Sequence, residues 1–282
     1  MYHRIASPGD VPDSLRPLCV SPARFAEQME VVASSFRACP VQQSPWGSRS
    51  RGSGNVVVTF DDGYADNFLI ARGILEQFEI PAEIYVTTDN VAQKTPYWWD
   101  QLYYSVKGVQ KDELQFALNH RQLAGSTAAA RSDLLSNLRL GCDVDADCRP
   151  MTIDELTSMS SHPLITIGGH TVSHPRLSQM SAKEQFQEIS EGRKQLQEWM
   201  GVPIPGFAIP FGGAPDYNSE TLRAVRASGF RYCMTTLPGI ATHHCSEYEL
   251  PRFMVMDWDG DTFRKQMENW FLRAPVTGLK GS

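Results

Sequence analysis

The chain lacks any run of basic residues, and no stripe interleaves aromatic with arginine side chains. With a formal net charge of −6 over 282 residues, it offers little to a phosphate backbone, and nucleic acid is not expected as a partner. Long hydrophobic runs are missing too. No stretch approaches the ~18–20 apolar residues of a membrane span. The opening "MYHRIASPGD" has no basic region followed by an apolar one, so it does not read as a signal peptide. Cysteines are few and scattered: Cys19, Cys39, Cys142, Cys148, Cys233 and Cys245 form no C-x-x-C pair. They are expected to be mostly free, buried thiols in a reducing compartment. These absences predict a cytoplasmic protein, or an exported one from which a signal has been removed. Internal repeats and low-complexity tracts are also absent, and nothing in the sequence speaks to oligomeric state.

What is there is a core-forming composition, 41% hydrophobic and 10% aromatic. It suffices for one domain over residues 1–282, since α/β barrels of ~200–250 residues or more fold as single units. Short apolar runs alternate with helical patterns. "YHRI" at 2–5 reads as a first strand, and "SPARFAEQMEVVASSF" as a helix with Ser21 as N-cap and Pro22 in its first turn. "VVVTF" is β-branched without polar alternation, as in a strand buried on both faces. "AEIYVTT", "LITIGGH", "GFAIPF", "FRYCMTT" and "RFMVMDW" complete about seven strands. "MTIDELTSM" and "SAKEQFQEISEGRKQLQEWMG" open on capping boxes, Thr152 with Glu155 and Ser181 with Glu184, and Gly201 stops the second helix. Residues 96–150 break the rhythm and read as a helical insertion over one end of the fold. Alternating strands and helices predict a parallel sheet with helices outside, either open or closed into a barrel, with chemistry at the carboxyl ends of the strands.

Two clusters lie at such ends. "VVVTFDDGYADN" runs a buried strand into Asp61 and Asp62. Adjacent carboxylates there repel and lose solvation, although Asp-Gly is also an ordinary turn signal. "GGHTVSHP" sets His170 and His174 four residues apart. In a helical turn the imidazoles would share one face, and two histidines with one carboxylate make a common catalytic zinc set that leaves a position for water. The bland reading of an isolated H-x-x-x-H is a pair of polar residues at a helix end. Both clusters at strand ends of one alternating fold are harder to dismiss together.

"TFDDGYADN", "GGHTVSHPRL" and "GFAIPFG" resemble the first three motifs of the polysaccharide deacetylase family, the NodB-homology or carbohydrate esterase 4 group. "YHRI", "YWWDQL", "MTIDEL" and "LPRF" resemble its framing phrases, in order along nearly the whole chain. The resemblance implies a distorted (β/α) barrel of about seven parallel strands, a divalent metal and removal of acetyl groups from N-acetylated sugars. Zinc is the usual metal, and cobalt or nickel also suits the donors. It implies Asp62, His170 and His174 as ligands and Asp61 as general base. A cation needing one aspartate would also offset the repulsion between the pair. An oxyanion donor is implied in "PFGG", at the Phe211 N–H.

Two departures from the family pattern matter. No late "L-x-L-H" strand supplies a general acid. A permuted branch, which deacetylates poly-N-acetylglucosamine, has a "Y-H-R" phrase near the start, and His3 matches it. The third motif lacks the arginine that contacts the base in many members, and Arg252 in "LPRF" is the candidate to replace it. Trp98, Trp99 and Trp258 are candidates to stack on sugar rings or to pack in the core, and Tyr64 to line the cleft. Asp66 and Asn67 are expected to cap the next helix. "DWDGDTFRKQME" has calcium-loop spacing but Thr262 where glycine is required, so Asp261 reads as an N-cap. "HHC" at 243–245 reads as a loop. The expected activity is a metal-dependent de-N-acetylase acting on a glycan. The alternatives are an O-acetyl esterase and a non-catalytic carbohydrate binder.

Overall fold

The computed structural model describes residues 1–10, 15–43, 54–106, 122–124, 126, 128–137, 148–242 and 244–273. Two short parallel pairs flank the main sheet: β1 (Arg4–Ile5) with β2 (Cys19–Val20), and β3 (Arg37–Ala38) with β4 (Asn55–Val56). The sheet itself is all parallel and runs in chain order through β5 (Val58–Phe60), β6 (Ala82–Val86), β7 (Ile165–Gly169), β8 (Gly206–Ala208) and β9 (Tyr232–Met234).

Hydrogen bonds carry this sheet past both edges. Tyr2 bridges Phe60, and Leu250 bridges Met234. The two outer segments then meet, Met1 N donating to Phe253 O at 2.9 Å and Val255 N to Met1 O at 3.1 Å. The expected seven strands thus resolve into five ladder strands and two extended edge segments. "RFMVMDW" forms no regular strand, and Pro251 before it has no N–H to give a ladder.

Alternation along the strands sorts two faces. Phe60, Ile84, Ile167, Phe207 and Cys233 join the main apolar cluster with the helices. Tyr85, Ala208, Tyr232, Met234 and Leu250 form a second cluster. Tyr232 on β9 donates to Glu83 on β6 at 2.7 Å, although β7 and β8 lie between those strands in the sheet. The sheet is therefore curled, with this second face inside. Gly168 and Gly206 make room for it: a Cβ at either position would stand 2.4 Å from the Tyr85 or Tyr232 ring.

The helices are α1 (Pro22–Ser35), α2 (Arg72–Gln77), α3 (Thr88–Gln93), α4 (Trp98–Val106), α5 (Ala128–Asn137), α6 (Ile153–Ser160), α7 (Ala182–Met200), α8 (Ser219–Ala227) and α9 (Gly260–Arg273). Both expected capping boxes form, and Gly201 closes α7 with φ 67°. A third box, Asn218 with Thr221, starts α8. Two expectations need correction, and a third holds in position only. Asp259, not Asp261, caps α9, because its Oδ1 reaches Thr262 N at 2.8 Å. Ser21 does occupy the N-cap position of α1 with extended backbone, but its hydroxyl donates to Asp257 and makes no capping bond. Asp66 and Asn67 make no cap, since a π-helical turn (Asn67–Ala71) precedes α2 and both side chains turn toward the N-terminal segment. Of the insertion at 96–150, α4 and α5 are described. Cys142, His243 and residues 44–53 lie outside the described residues, and no disulfide joins the five described cysteines to one another.

Candidate metal centre

The carboxyl ends of β5, β7 and β8 converge on one point, and the backbone there is unusual. Asp62 (φ 73°), Thr171 (φ 67°), His174 (φ 54°) and Phe211 (φ 61°) are left-handed without being glycine. This conformation costs roughly 1–2 kcal/mol per residue. Such residues persist where the surroundings fix them, and they cluster at functional sites.

Asp62, His170 and His174 are buried, and their ligand atoms lie within 4.8 Å of one another. Asp62 Oδ1 is 3.5 Å from both His170 Nε2 and His174 Nε2. That is long for hydrogen bonds. It matches the ~3.4 Å expected between two ligands each ~2.0–2.1 Å from one tetrahedral ion. The tautomer fits as well. His170 Nδ1 donates to Ala208 O at 2.7 Å, which leaves its Nε2 lone pair facing Asp62. Burial lowers His174 to about 3, against the pull of Asp62, so its ring is neutral and ready to ligate. Burial opposes ionisation of Asp62, but the His170 contact and the His174 charge hold it below the usual carboxylate range. The residues therefore fit a divalent ion. This is the one such cluster among the described residues, and Asp257 and Asp259 of the calcium-like stretch are taken up by Ser21 and α9.

Asp61 does not join the cluster. Arg252 grips both its oxygens, Nη1 to Oδ1 at 2.7 Å and Nη2 to Oδ2 at 2.8 Å. Burial would raise the Asp61 pKa, but the Arg252 charge and hydrogen bonds, aided by His170, push it well below the ordinary value. Arg252 also donates to Thr235 O and Thr59 Oγ1. An arginine from the 250–255 segment thus contacts Asp61, where the third motif has none.

His3 is held beside the cluster by Asn67, whose Nδ2 donates to His3 O at 2.9 Å. Asp66 secures the same segment, accepting from Ile5 N at 3.1 Å and pairing with Arg4 at 3.3 Å. Burial lowers the His3 pKa, the nearby Asp62 and Asp61 pull it up, and Arg252 and His170 push it down. Its Nδ1 is buried with no hydrogen-bond partner among the described residues. The Phe211 N–H likewise finds no acceptor among them, while its carbonyl takes a bond from Thr236 at 2.7 Å and its ring lies 4.8 Å from that of His174.

The aromatic candidates divide. Tyr64 is fully buried; it donates to Asp100 at 2.8 Å and receives Trp99 Nε1 at 2.6 Å. It therefore sits in the core beneath the insertion rather than on a cleft wall. Burial pushes Asp100 up to about 7. Trp98 and Trp99 are buried in the same cluster, and the Trp99 ring meets that of His174 at 4.9 Å. Trp258 is half-buried and packs against the main core, its ring 6.1 Å from that of Trp270. Three residues not foreseen from the sequence also touch the ligand loops. Tyr97 donates to Asp62 O at 2.7 Å. Arg131 donates to Ser173 O at 2.9 Å and His174 O at 3.2 Å. Glu188 accepts from Val172 N, Ser173 N and Ser173 Oγ at 2.8–3.0 Å. All three act on the backbone or a neighbouring hydroxyl, for which no motif spacing exists; the nearest signal is a tyrosine beside "WWD".

A family model described as polysaccharide deacetylase matches residues 48–233. YxkH of Bacillus subtilis (strain 168), which carries a polysaccharide deacetylase name, is 22% identical over 200 residues, 71% of this chain. The chain spans about half the length of that relative, 51%. The fold matches the Streptococcus pyogenes deacetylase PplD in complex with acetate, with TM-score 0.65, 19% identity, and coverage of 95% of this chain and 96% of that one. It also matches a de-N-acetylase from Aggregatibacter actinomycetemcomitans, with TM-score 0.62, 14% identity, and coverage of 95% and 97%. At these identities the two structures speak for the fold.

Proposed function

The chain belongs to the polysaccharide deacetylase family, and from that premise we propose that it is a metal-dependent hydrolase removing N-acetyl groups from an N-acetylated amino sugar in a polysaccharide or glycan precursor, with release of acetate. The observation that carries this reading is the division of labour between adjacent aspartates: Asp62 faces two imidazoles, and Asp61 faces a guanidinium. A divalent ion held by Asp62, His170 and His174, zinc above all with cobalt or nickel as alternatives, would supply a Lewis acid and bring the pKa of bound water toward ~7. Asp61 stays ionised beside that position and can accept the proton of the attacking water. Arg252 keeps it charged and oriented. The uncommitted Phe211 N–H is a donor for the oxyanion; losing such a donor costs about 2.7–4 kcal/mol in other hydrolases.

An amine leaves only with a proton, so amide cleavage needs a general acid. His3 offers an orphaned nitrogen within the electrostatic reach of both aspartates. An alkoxide leaves more readily, so ester cleavage depends less on that proton. The test is acetate release by zinc-loaded protein from N-acetylated and matched O-acetylated oligosaccharides, with His3→Ala alongside. The variant is expected to lose about 10²–10⁴-fold on the amide and far less on the ester. Equal losses would remove His3 from the acid role. Release from the ester alone would make the enzyme an O-deacetylase.

A further inference from the structure

The insertion reaches the ligand loops through their backbone carbonyls. Tyr97, just before α4, takes the carbonyl of Asp62, and Arg131 of α5 takes those of Ser173 and His174. Asp62 and His174 are the two ligand residues with left-handed backbone. On the other side, Glu188 of α7 collects the N–H groups of Val172 and Ser173. The segment between the two histidines is thus held from both sides, its N–H groups by a carboxylate and its carbonyls by a guanidinium.

Arg131 is an odd residue to find there. It is only 4% exposed, and among the described residues no carboxylate forms an ion pair with it. Burial lowers its pKa to about 10. A positive charge near a cation site is electrostatically adverse, so charge alone does not explain its position. A planar fork that binds two successive carbonyls does.

Resting on the reading of Asp62, His170 and His174 as metal ligands, we propose that the insertion is a brace for the metal centre. Arg131, working against Glu188, and Tyr97 act as positioning residues that fix the backbone of His174 and Asp62, so that ion affinity is set from outside the barrel. Partners of this kind typically change metal affinity by ~10–100-fold when removed.

The two views of Arg131 predict opposite signs. Cobalt(II) is titrated into metal-free full-length protein, and both the dissociation constant and the visible absorption of the bound ion are read. As a brace, Arg131→Met weakens cobalt binding by about 10–100-fold and alters the absorption, with Arg131→Lys in between. As a bystander charge, its loss leaves binding unchanged or tighter, and that result overturns the proposal. Tyr97→Phe keeps the ring and removes one bond, so it covers the case in which Arg131→Met fails to fold. It should weaken cobalt several-fold with the apo melting temperature little changed; wild-type affinity and absorption in this variant would likewise overturn the brace. If the wild-type chain binds no cobalt, the ligand assignment falls and takes the inference with it. That outcome is distinct from unchanged affinity in the variants, and neither depends on acetate release.

Discussion

Arg252 and Asp61 are each less than a tenth exposed and joined by two parallel hydrogen bonds. Removing one member of such a pair strands the other charge in the interior, at a cost of about 3–5 kcal/mol. Arg252→Met should lose about that much stability in urea denaturation at neutral pH, and adding Asp61→Asn should recover a good part of it. The sign with pH follows from the depressed pKa of Asp61. Its contribution is present above the unfolded value of 3.8 and is lost as pH falls through the folded one. The gap between wild type and Arg252→Met should therefore narrow in acid. At this scale adjacency and four-residue spacing single out Asp61, Asp62, His170 and His174, and three of them come together as a group that could hold a metal. The helical turn that the spacing of the two histidines suggested does not form; a loop with left-handed Thr171 and His174 brings them together instead. Arg252 could be reached only through an arginine missing elsewhere. Beyond the tyrosine beside "WWD", nothing marked Tyr97, Arg131 and Glu188, since a side chain that serves another residue's peptide group is placed by tertiary packing.

Among the elements, the two capping boxes were the most legible feature. The boxes at Thr152 and Ser181 each satisfy two terminal donors through a pattern written in four consecutive residues. α6 follows closely on the segment Arg149 to Met151, which is tied to the turn carrying Gly63 to Ala65: Ala65 N donates to Arg149 O at 2.9 Å and Met151 N to Gly63 O at 3.0 Å. Thr152→Ala should therefore cost about 1 kcal/mol in denaturation without changing acetate release, because the turn keeps its own backbone bonds. The misassigned caps at Asp66, Asn67 and Asp261 share one cause. All three sit where a cap is plausible by composition, but in each place the helix has already begun. Asp66 and Asn67 instead tie down the segment bearing His3. The late strand failed for a similar reason: its apolar alternation is genuine, but it meets its neighbours through isolated bonds. For the insertion, helical character could be seen, while its contact with the ligand loops could not.

At the level of the whole molecule, the inside of the curled sheet is partly polar. Glu83 accepts from Tyr232 at 2.7 Å, and Gln42 donates to the same hydroxyl at 2.9 Å. Burial raises Glu83 from 4.5 to about 7, with the Tyr232 bond working against it. The folded chain therefore holds this proton where the unfolded chain has released it, and stability falls as pH rises from about 4.5 to about 7. Glu83→Gln removes that slope. Relative to wild type, the variant should gain roughly 3 kcal/mol between pH 4.5 and pH 8 in denaturant titrations, and parallel curves would place the proton elsewhere. The arrangement of the sheet in chain order also has a bearing on how the molecule comes into being. Asp62, His170 and His174 have all been synthesised by the time residue 174 is added, whereas Arg252 arrives roughly 80 residues later, a matter of several seconds at ~5–20 residues per second. A nascent chain can thus assemble the place for an ion before Asp61 meets its counter-charge, and an ion captured early would quiet the two aspartates while the rest of the ring is still being made.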